Sequence, residues 1–116
     1  MKAQFMPVHE VFLFAVKPGF RFPAKRPSSV VTVPKVNSNL LVHPNEKPVD
    51  LMARLMDSLC PPGGVVLDPF MGSGATAKAC VRTGRNYIGF ELDESYHALA
   101  VSGIAAEVDN LLEVTA

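Results

Sequence analysis

Leu67-Asp68-Pro69-Phe70-Met71-Gly72-Ser73-Gly74-Ala75-Thr76-Ala77 is the stretch of sequence that decides the fold. It overlaps the short apolar run Val65-Val66-Leu67, which is typical of a buried strand, and it runs into a helix predicted over 75–83. Within it, Gly72 to Ala77 fit G-x-G-x-x-A, a strand-to-helix turn that lets the backbone approach a nucleotide closely. A plain strand-to-helix turn is the alternative interpretation of the glycines.

The chain on both sides of this stretch predicts a βαβ unit followed by a helix. Tyr87-Ile88-Gly89-Phe90 indicates a second strand, and Asp93 is a candidate cap for a long final helix. Upstream, leucines recur at i, i+4 and i+8 from Leu51 to Leu59 and indicate an amphipathic helix, with Pro48 at its first position. The order of elements predicts an α/β fold in which the two strands are parallel and adjacent, with a right-handed crossover.

The front of the chain differs from the rest in composition. Residues 1–50 hold seven of the ten prolines and seven of the eleven Lys and Arg residues, and the prolines exclude a long helix there. Val11 to Val16 is an apolar run typical of a strand, Val30 to Val33 could form another, and Lys17 to Phe20 indicates a turn. We therefore divide the chain into a proline-rich basic segment with one or two strands, 1–42, and a cofactor-binding βαβ part, 43–116.

Length and composition restrict the class of protein. The 116 residues are 48% hydrophobic and 19% charged, with a net charge of zero, which is typical of one small folded domain. No apolar run approaches the roughly 20 residues of a membrane-spanning helix, and the first residues lack a secretory signal, so we expect a cytoplasmic protein without membrane contact. Cys60 and Cys80 form no Cys-x-x-Cys pair, and we expect small reduced core residues rather than zinc ligands or a disulfide.

The charge at the glycine turn distinguishes between candidate ligands. A Walker loop, which binds ATP or GTP, needs a lysine after its last glycine, whereas Gly74 is followed by Ala75. The sequence therefore argues against ATP or GTP as the ligand. Asp68 stands at the mouth of the first strand and would repel the phosphates of a nicotinamide dinucleotide, which remains a lower alternative. An acid there suits S-adenosylmethionine, which carries an ammonium and a sulfonium and no phosphate. Glu91, at the end of the second strand, can accept hydrogen bonds from ribose hydroxyls.

A second motif, His43-Pro44-Asn45-Glu46-Lys47-Pro48, precedes the first predicted helix. The free N–H groups of a helix N-terminus favour a carboxylate. Asn45 adds a side-chain donor and Lys47 a positive charge, so the methionine carboxylate of the same ligand could bind there. Simple helix capping by Asn45 is the alternative. His43 by itself is more often structural than catalytic.

In this order, the His43–Pro48, Leu67–Thr76 and Tyr87–Asp93 motifs resemble those of the amino-methylating DNA methyltransferases, which modify N6 of adenine or N4 of cytosine. The resemblance covers roughly residues 8 to 100 and implies an incomplete Rossmann-like methyltransferase sheet with flanking helices. It implies a glycine loop that binds the cofactor, a carboxylate that holds the ribose, and donors near the methionine carboxylate, where the family usually has Thr in place of Asn. The predicted cofactor-binding residues are Asn45, Lys47, Asp68, Phe70, Gly72, Ser73, Gly74, Thr76 and Glu91.

The catalytic tetrapeptide of this family, Asp/Asn/Ser-Pro-Pro-aromatic, is not in the sequence. Cys60-Pro61-Pro62-Gly63 shares only the two prolines and falls in a predicted helix-to-strand turn, so we predict no catalytic residue and no metal ligand. Because the resemblance places the catalytic motif upstream of the cofactor motifs, we expect the chain to correspond to the carboxy-terminal part of such an enzyme. A deliberate cut or a truncated gene, such as that of a decaying mobile element, would produce it.

Two functions follow from these observations. The first is the S-adenosylmethionine-binding portion of a site-specific DNA methyltransferase, in which the basic segment Lys17 to Lys35 contacts the phosphates of double-stranded DNA. The second is an inactive truncated remnant that folds and self-associates without catalysis. In either case the first strand would lack a neighbour and expose apolar side chains, so we expect a homo-oligomer formed by self-association or strand exchange.

Overall fold

The computed structural model describes residues 8–41 and 43–116, and its two strands form one parallel sheet. Val65 pairs with Asn86 at one end of the sheet and Asp68 with Gly89 at the other. The α/β fold and the parallel βαβ unit predicted from the sequence are confirmed. The elements in chain order are a 3-10 helix (Ser38–Leu40), α1 (Val49–Leu59), β1 (Val65–Asp68), α2 (Ala75–Thr83), β2 (Asn86–Gly89) and α3 (Glu94–Thr115).

At most ends, the observed boundary of a helix or strand lies within one residue of the predicted boundary. Pro48 is the N-cap of α1 rather than its first residue. The side chain of Asp93 caps α3, as predicted, by accepting a hydrogen bond from the N–H of Tyr96 at 3.0 Å. Backbone hydrogen bonding continues past β2, because Phe90 N–H donates to the carbonyl of Asp68 at 2.9 Å.

The core lies on one face of the sheet, where α2 packs between α1 and α3. Small side chains on α2 are buried and let both neighbouring helices approach closely. Cys80 is fully buried in the core, as predicted, whereas Cys60 is only partly buried. The two clusters of buried side chains are Met56, Ala79 and Cys80 on the α1 side, and Met71, Ala77, Ala100 and Ile104 on the α3 side.

The opposite face of the sheet is not covered by the described residues. Successive side chains of a strand point to opposite faces, and Val66 packs against the cluster on the α1 side. The side chains immediately before and after Val66 on β1 therefore point away from the helices. The side chains beside them on β2, and that of Phe90 just after β2, point the same way. We call this surface the open sheet face; its residues and their exposed fractions are Val65 (60%), Leu67 (63%), Ile88 (51%) and Phe90 (59%).

Arg85 joins the end of α1 to the turn between α2 and β2. Only 7% of its side chain is exposed. Its guanidinium donates to the carbonyl of Cys60 at 2.9 and 3.2 Å, to the carbonyl of Thr83 at 2.7 Å and to the carboxylate of Asp57 at 2.8 Å. These acceptors lie at the end of α1 and at the end of α2, so one side chain fixes how the two helix ends meet.

The strand predictions for the front segment are wrong for the part that the structure describes. Neither Val11 to Val16 nor Val30 to Val33 is a strand; residues 8–41 contain the 3-10 helix alone. A strand needs a backbone partner, and among the described residues no backbone hydrogen bond joins the first run to another segment; its Phe14 ring packs on Phe20 and Phe22 instead. The predicted turn at Lys17 to Phe20 is present, with Phe20 N–H donating to the carbonyl of Lys17 at 3.2 Å. Residues 1–7 and Val42 lie outside the described residues, and the division into 1–42 and 43–116 stays a prediction.

Among the helices of the described chain, none has the length and apolar character that crossing a membrane requires.

Candidate functional site

A cleft of about 360 Å³ opens at the carboxyl ends of β1 and β2. Its walls are the turn at 43–48, the loop between β1 and α2, and Glu91, two residues after the end of β2. Ligands of open parallel sheets bind at this end of the strands. Eight of the nine predicted cofactor-binding residues line the cleft: Asn45, Lys47, Asp68, Phe70, Gly72, Ser73, Thr76 and Glu91.

The ninth, Gly74, is not part of the cleft wall. It is the N-cap of α2, with φ +84°, and a Cβ placed on it would lie 3.2 Å from Ala100 Cβ and 3.4 Å from Ile104 Cδ1. Its lack of a side chain therefore brings the start of α2 against α3. This role is one of packing, and the assignment of Gly74 to the cofactor-binding loop stays a prediction.

Glu91 connects two backbone segments at the cleft. Its Oε2 accepts a hydrogen bond from Gly72 N–H at 2.8 Å, and its Oε1 accepts one from Asp93 N–H at 2.9 Å. The N–H of Asp93 and then that of Gly72 lower the pKa of the Glu91 carboxyl below its usual value, against the opposing effect of partial burial. An ionised carboxylate has about four acceptor positions, so both oxygens retain capacity for further donors such as ribose hydroxyls.

Asp68 and Phe70 form the rim next to the glycine loop. Asp68 Oδ1 accepts a hydrogen bond from Phe70 N–H at 3.0 Å, which fixes the carboxylate at the mouth of β1. The ring of Phe70 is 89% exposed and offers a flat apolar surface beside the cleft. A negative charge next to an aromatic surface suits a cationic ligand that also carries a planar ring.

The turn before α1 differs in two ways from what the sequence indicates. Within the described chain, no side chain caps α1, so the alternative in which Asn45 is a simple helix cap is wrong. Lys47 lies 2.5 Å from Glu10 Oε2, and this ion pair lowers the pKa of the Glu10 carboxyl. The positive charge of Lys47 thus already has an acidic partner from the front segment, which the sequence did not indicate.

Further residues line the cleft that were not among the predicted ligands: His43, Glu46, Met52, Met71 and Ala75. Four of them lie in stretches that the sequence analysis had singled out: His43 and Glu46 in the turn before α1, and Met71 and Ala75 in the glycine stretch. Met52 belongs to the apolar side of α1, where a core position was the ordinary expectation.

Two other features are distinct from the cleft, although the second of them shares Met52 and Thr76 with the cleft wall. Cys60-Pro61-Pro62-Gly63 precedes β1 and is therefore at the opposite end of that strand from Asp68. A larger cavity of about 540 Å³ lies between α1 and β1, and its wall carries no ionisable side chain other than a cysteine. Among the described residues, no three His, Cys, Asp or Glu side chains come together as candidate metal ligands.

Comparison with known proteins gives the family. A family model described as "DNA methylase", for N6 and N4 methyltransferases, matches residues 2–102. The chain belongs to this DNA methylase family. The resemblance seen in the sequence motifs is thereby confirmed, and the cleft lies at the carboxyl end of the sheet in a member of this family.

Two curated DNA methylase relatives show how much of such a protein the chain spans. "Putative methylase YubD" of Escherichia coli (strain K12) is 48% identical over 64 residues, 55% of this chain and 28% of the relative. Type II methyltransferase M.ScaI of Streptomyces caespitosus is 35% identical over 94 residues, 75% of this chain and 31% of the relative. The chain thus spans about three tenths of the length of these relatives.

A solved structure supports the fold of this DNA methylase chain. The M1.HpyAVI–SAM complex is 32% identical, with a TM-score of 0.54, over 68% of this chain and 41% of the solved one. The match confirms the methyltransferase-type α/β architecture with helices beside a parallel sheet.

Proposed function

We propose that this chain is the S-adenosylmethionine-binding portion of a site-specific DNA methyltransferase that acts on the exocyclic amino group of adenine or cytosine. The observation that carries the proposal is the meeting of Asp68, Gly72 and Glu91 with the turn at Asn45 in one cleft. The solved M1.HpyAVI relative is a complex with SAM. The volume of about 360 Å³ also falls in the range of small-molecule pockets, about 300–1,000 Å³.

Each part of the cofactor has a matching group in the cleft. The ribose hydroxyls would donate to Glu91, whose carboxylate is held ionised by backbone N–H groups. The adenine would lie against the exposed ring of Phe70. The ammonium or sulfonium would face Asp68, and the methionine carboxylate would lie near Asn45 and Thr76.

The chemistry of transfer would use few protein groups. When bound, the cofactor supplies a methyl group on a sulfonium, which an amino nitrogen can attack in line. The residues of this chain would orient that cofactor, a contribution of positioning rather than of acid or base catalysis. Because the Asp-Pro-Pro-aromatic tetrapeptide is not in the sequence, we expect this chain to bind the cofactor without methylating DNA by itself.

The basic front segment is the proposed contact to double-stranded DNA. Arg21, Lys25 and Arg26 are exposed, and the sequence carries no acid from Val11 to Asn45. Replacing these three residues with Gln should weaken duplex binding at every sequence and lower the salt dependence of binding by about one unit of slope per residue. An unchanged salt slope would contradict this contact.

The decisive test is calorimetric titration with S-adenosylmethionine. The natural chain should bind, and Asp68→Asn should bind at least about tenfold more weakly, because a hydrogen bond to a charged group contributes about 1.5–3 kcal/mol. Asp109→Asn, on the exposed side of α3, is the matched control and should bind as the natural chain does. Equal binding by Asp68→Asn, or binding of a nicotinamide dinucleotide instead, would overturn the proposal.

The second candidate is a folded remnant that self-associates without catalysis. The open sheet face favours it, since four apolar side chains there are at least half exposed. The titration separates the two functions, because a remnant that has lost its cofactor site would not bind S-adenosylmethionine.

A further inference from the structure

We infer that His43 is a positioning residue, which orients Asn45 towards the amino-acid end of the cofactor. The inference rests on the proposed function and gives the His43 imidazole a role in binding the amino-acid end of S-adenosylmethionine. Its basis is a hydrogen bond, two ring contacts and the place of Asn45 in the cleft.

The hydrogen bond links the imidazole to the backbone of the turn. His43 Nδ1 accepts from Asn45 N–H at 3.1 Å, so Nδ1 is the unprotonated nitrogen of the ring. The same turn is closed by a second bond, from Glu46 N–H to the carbonyl of His43 at 3.0 Å. Together they set the direction of the Asn45 backbone, and the Asn45 side chain leaves that backbone at the wall of the cleft.

The ring itself is held by two other elements. Its centroid lies 4.3 Å from that of Tyr96, in the first turn of α3, with an angle of 58° between the planes. A Cβ placed on Gly72 would lie 3.6 Å from His43 Cδ2 and 3.7 Å from Nε2, so the ring occupies the space beside that glycine. The imidazole is therefore fixed against the glycine loop and α3, and it transmits that fixed position to the turn.

These contacts use two different properties of the His43 side chain. The aromatic ring packs on Tyr96 and Gly72, whereas the nitrogen acceptor orients Asn45. If only packing mattered, any flat ring would serve. If orientation matters, the loss of the acceptor should affect the amino-acid end of the ligand and leave the adenosine end unchanged.

Two variants test the two properties independently. His43→Phe keeps a ring for Tyr96 and Gly72 but has no acceptor. His43→Asn has no ring, but its side-chain oxygen can accept the N–H two residues later, as Asn does in Asx turns. Each variant is titrated with S-adenosylmethionine and with 5′-methylthioadenosine, which has the adenosine and the sulfur but lacks the amino-acid end.

We expect His43→Phe to bind S-adenosylmethionine about five- to tenfold more weakly than the natural chain, with unchanged affinity for 5′-methylthioadenosine. His43→Asn should keep the natural ratio between the two affinities. Equal loss for both ligands in His43→Phe, or no loss for either, would overturn the role in orientation. A natural chain that binds neither ligand would instead overturn the proposed function itself.

A spectroscopic measurement needs no variant. The ¹⁵N chemical shifts of the His43 ring in the natural chain at neutral pH should show an unprotonated Nδ1 and a protonated Nε2. If the His43→Phe chain does not fold, these shifts decide the question, and a proton on Nδ1 would overturn the inference.

Discussion

Glu91 fixes the relation between the glycine loop and the start of the last helix. One oxygen accepts from Gly72 and the other from Asp93, so a single carboxylate satisfies two backbone N–H groups on different segments. An ionised acceptor forms stronger hydrogen bonds than a neutral one. The charge of Glu91 therefore contributes to the shape of the cleft as well as to its electrostatics.

The lowered pKa of Glu91 predicts how stability depends on pH. A carboxyl whose pKa falls on folding stabilises the fold above its usual pKa, 4.5, and this contribution is lost as the pH falls through the lowered value. We expect Glu91→Gln to melt at a lower temperature than the natural chain at neutral pH, and this difference in melting temperature to narrow as the pH falls below 4.5. The measurement is the melting temperature by circular dichroism across this range.

Glu113→Gln is the control for this prediction. Glu113 lies on the exposed last turns of α3, so its replacement should leave the melting curves nearly unchanged at every pH. A gap for Glu91→Gln that stays constant from neutral to acid pH would contradict the role assigned to its charge.

The sequence could predict the positions of those candidate site residues that follow from the order of the strands along the chain. Asp68 ends β1 and Glu91 lies just beyond β2, and the carboxyl ends of these parallel neighbours meet at the same edge of the sheet. The ion pair of Lys47 and Glu10 could not be predicted, because 37 residues separate them and irregular chain leads from one to the other. The inward-facing position of Gly74 also depends on how α2 packs on α3, which no local pattern encodes.

At the scale of elements, α2 depends on close packing by small side chains. Gly74→Ala would force an L residue into the left-handed region, at a cost of about 1–2 kcal/mol, and would press a methyl group against Ala100. Gly63→Ala meets the same backbone strain at φ +74°, with no atom within 4 Å. We therefore expect a larger loss in the free energy of unfolding for Gly74→Ala, measured by urea denaturation. Equal losses would show that contact with α3 is unimportant.

Arg85 is the second test at this scale. Arg85→Ala removes four hydrogen bonds and leaves the carbonyl of Cys60 without this donor, so we expect a loss of about 2–3 kcal/mol in the free energy of unfolding. Arg82→Ala is the matched control, since its ion pairs with Asp50 and Glu107 involve a guanidinium that is 40% exposed, and should lose about 1 kcal/mol or less. A loss for Arg85→Ala as small as this would contradict its joining role.

The helices and the two paired strands could be predicted to within a residue or two, because each has its own pattern and caps. Val11 to Val16 had an equally clear pattern and is not a strand in the structure. An apolar run of this composition shows that a segment can pair, but the ladder also needs a second strand beside it. That partner is a property of the tertiary arrangement and not of the run.

At the scale of the whole molecule, helices cover one face of the sheet, and none of residues 8–41 and 43–116 covers the other. Burial of apolar surface stabilises by about 25 cal/mol per Å², so the open sheet face favours contact with another apolar surface. We expect the protein to self-associate through this face, as a molar mass that rises with concentration in static light scattering. Leu67→Lys should keep the mass near that of one chain.

Val114→Lys is the control for self-association. Val114 is 85% exposed at the end of α3 and does not belong to the open sheet face. The same charge added there should leave the concentration dependence as it is. A constant mass of one chain for the natural protein, at all concentrations, would contradict the expected association.

The bond between Glu91 and Gly72 also suggests where inhibitor design should begin. The Glu91 carboxylate, which we propose as the acceptor for ribose hydroxyls, is aligned by a backbone N–H before any ligand arrives, so a fragment that binds there does not have to order the protein first. Plain nucleosides, far smaller than the full cofactor, are thus suitable first compounds for fragment screening against this chain. Chemical elaboration can then proceed from the ribose towards the rim at Asp68 and Phe70, or towards the turn at 43–48.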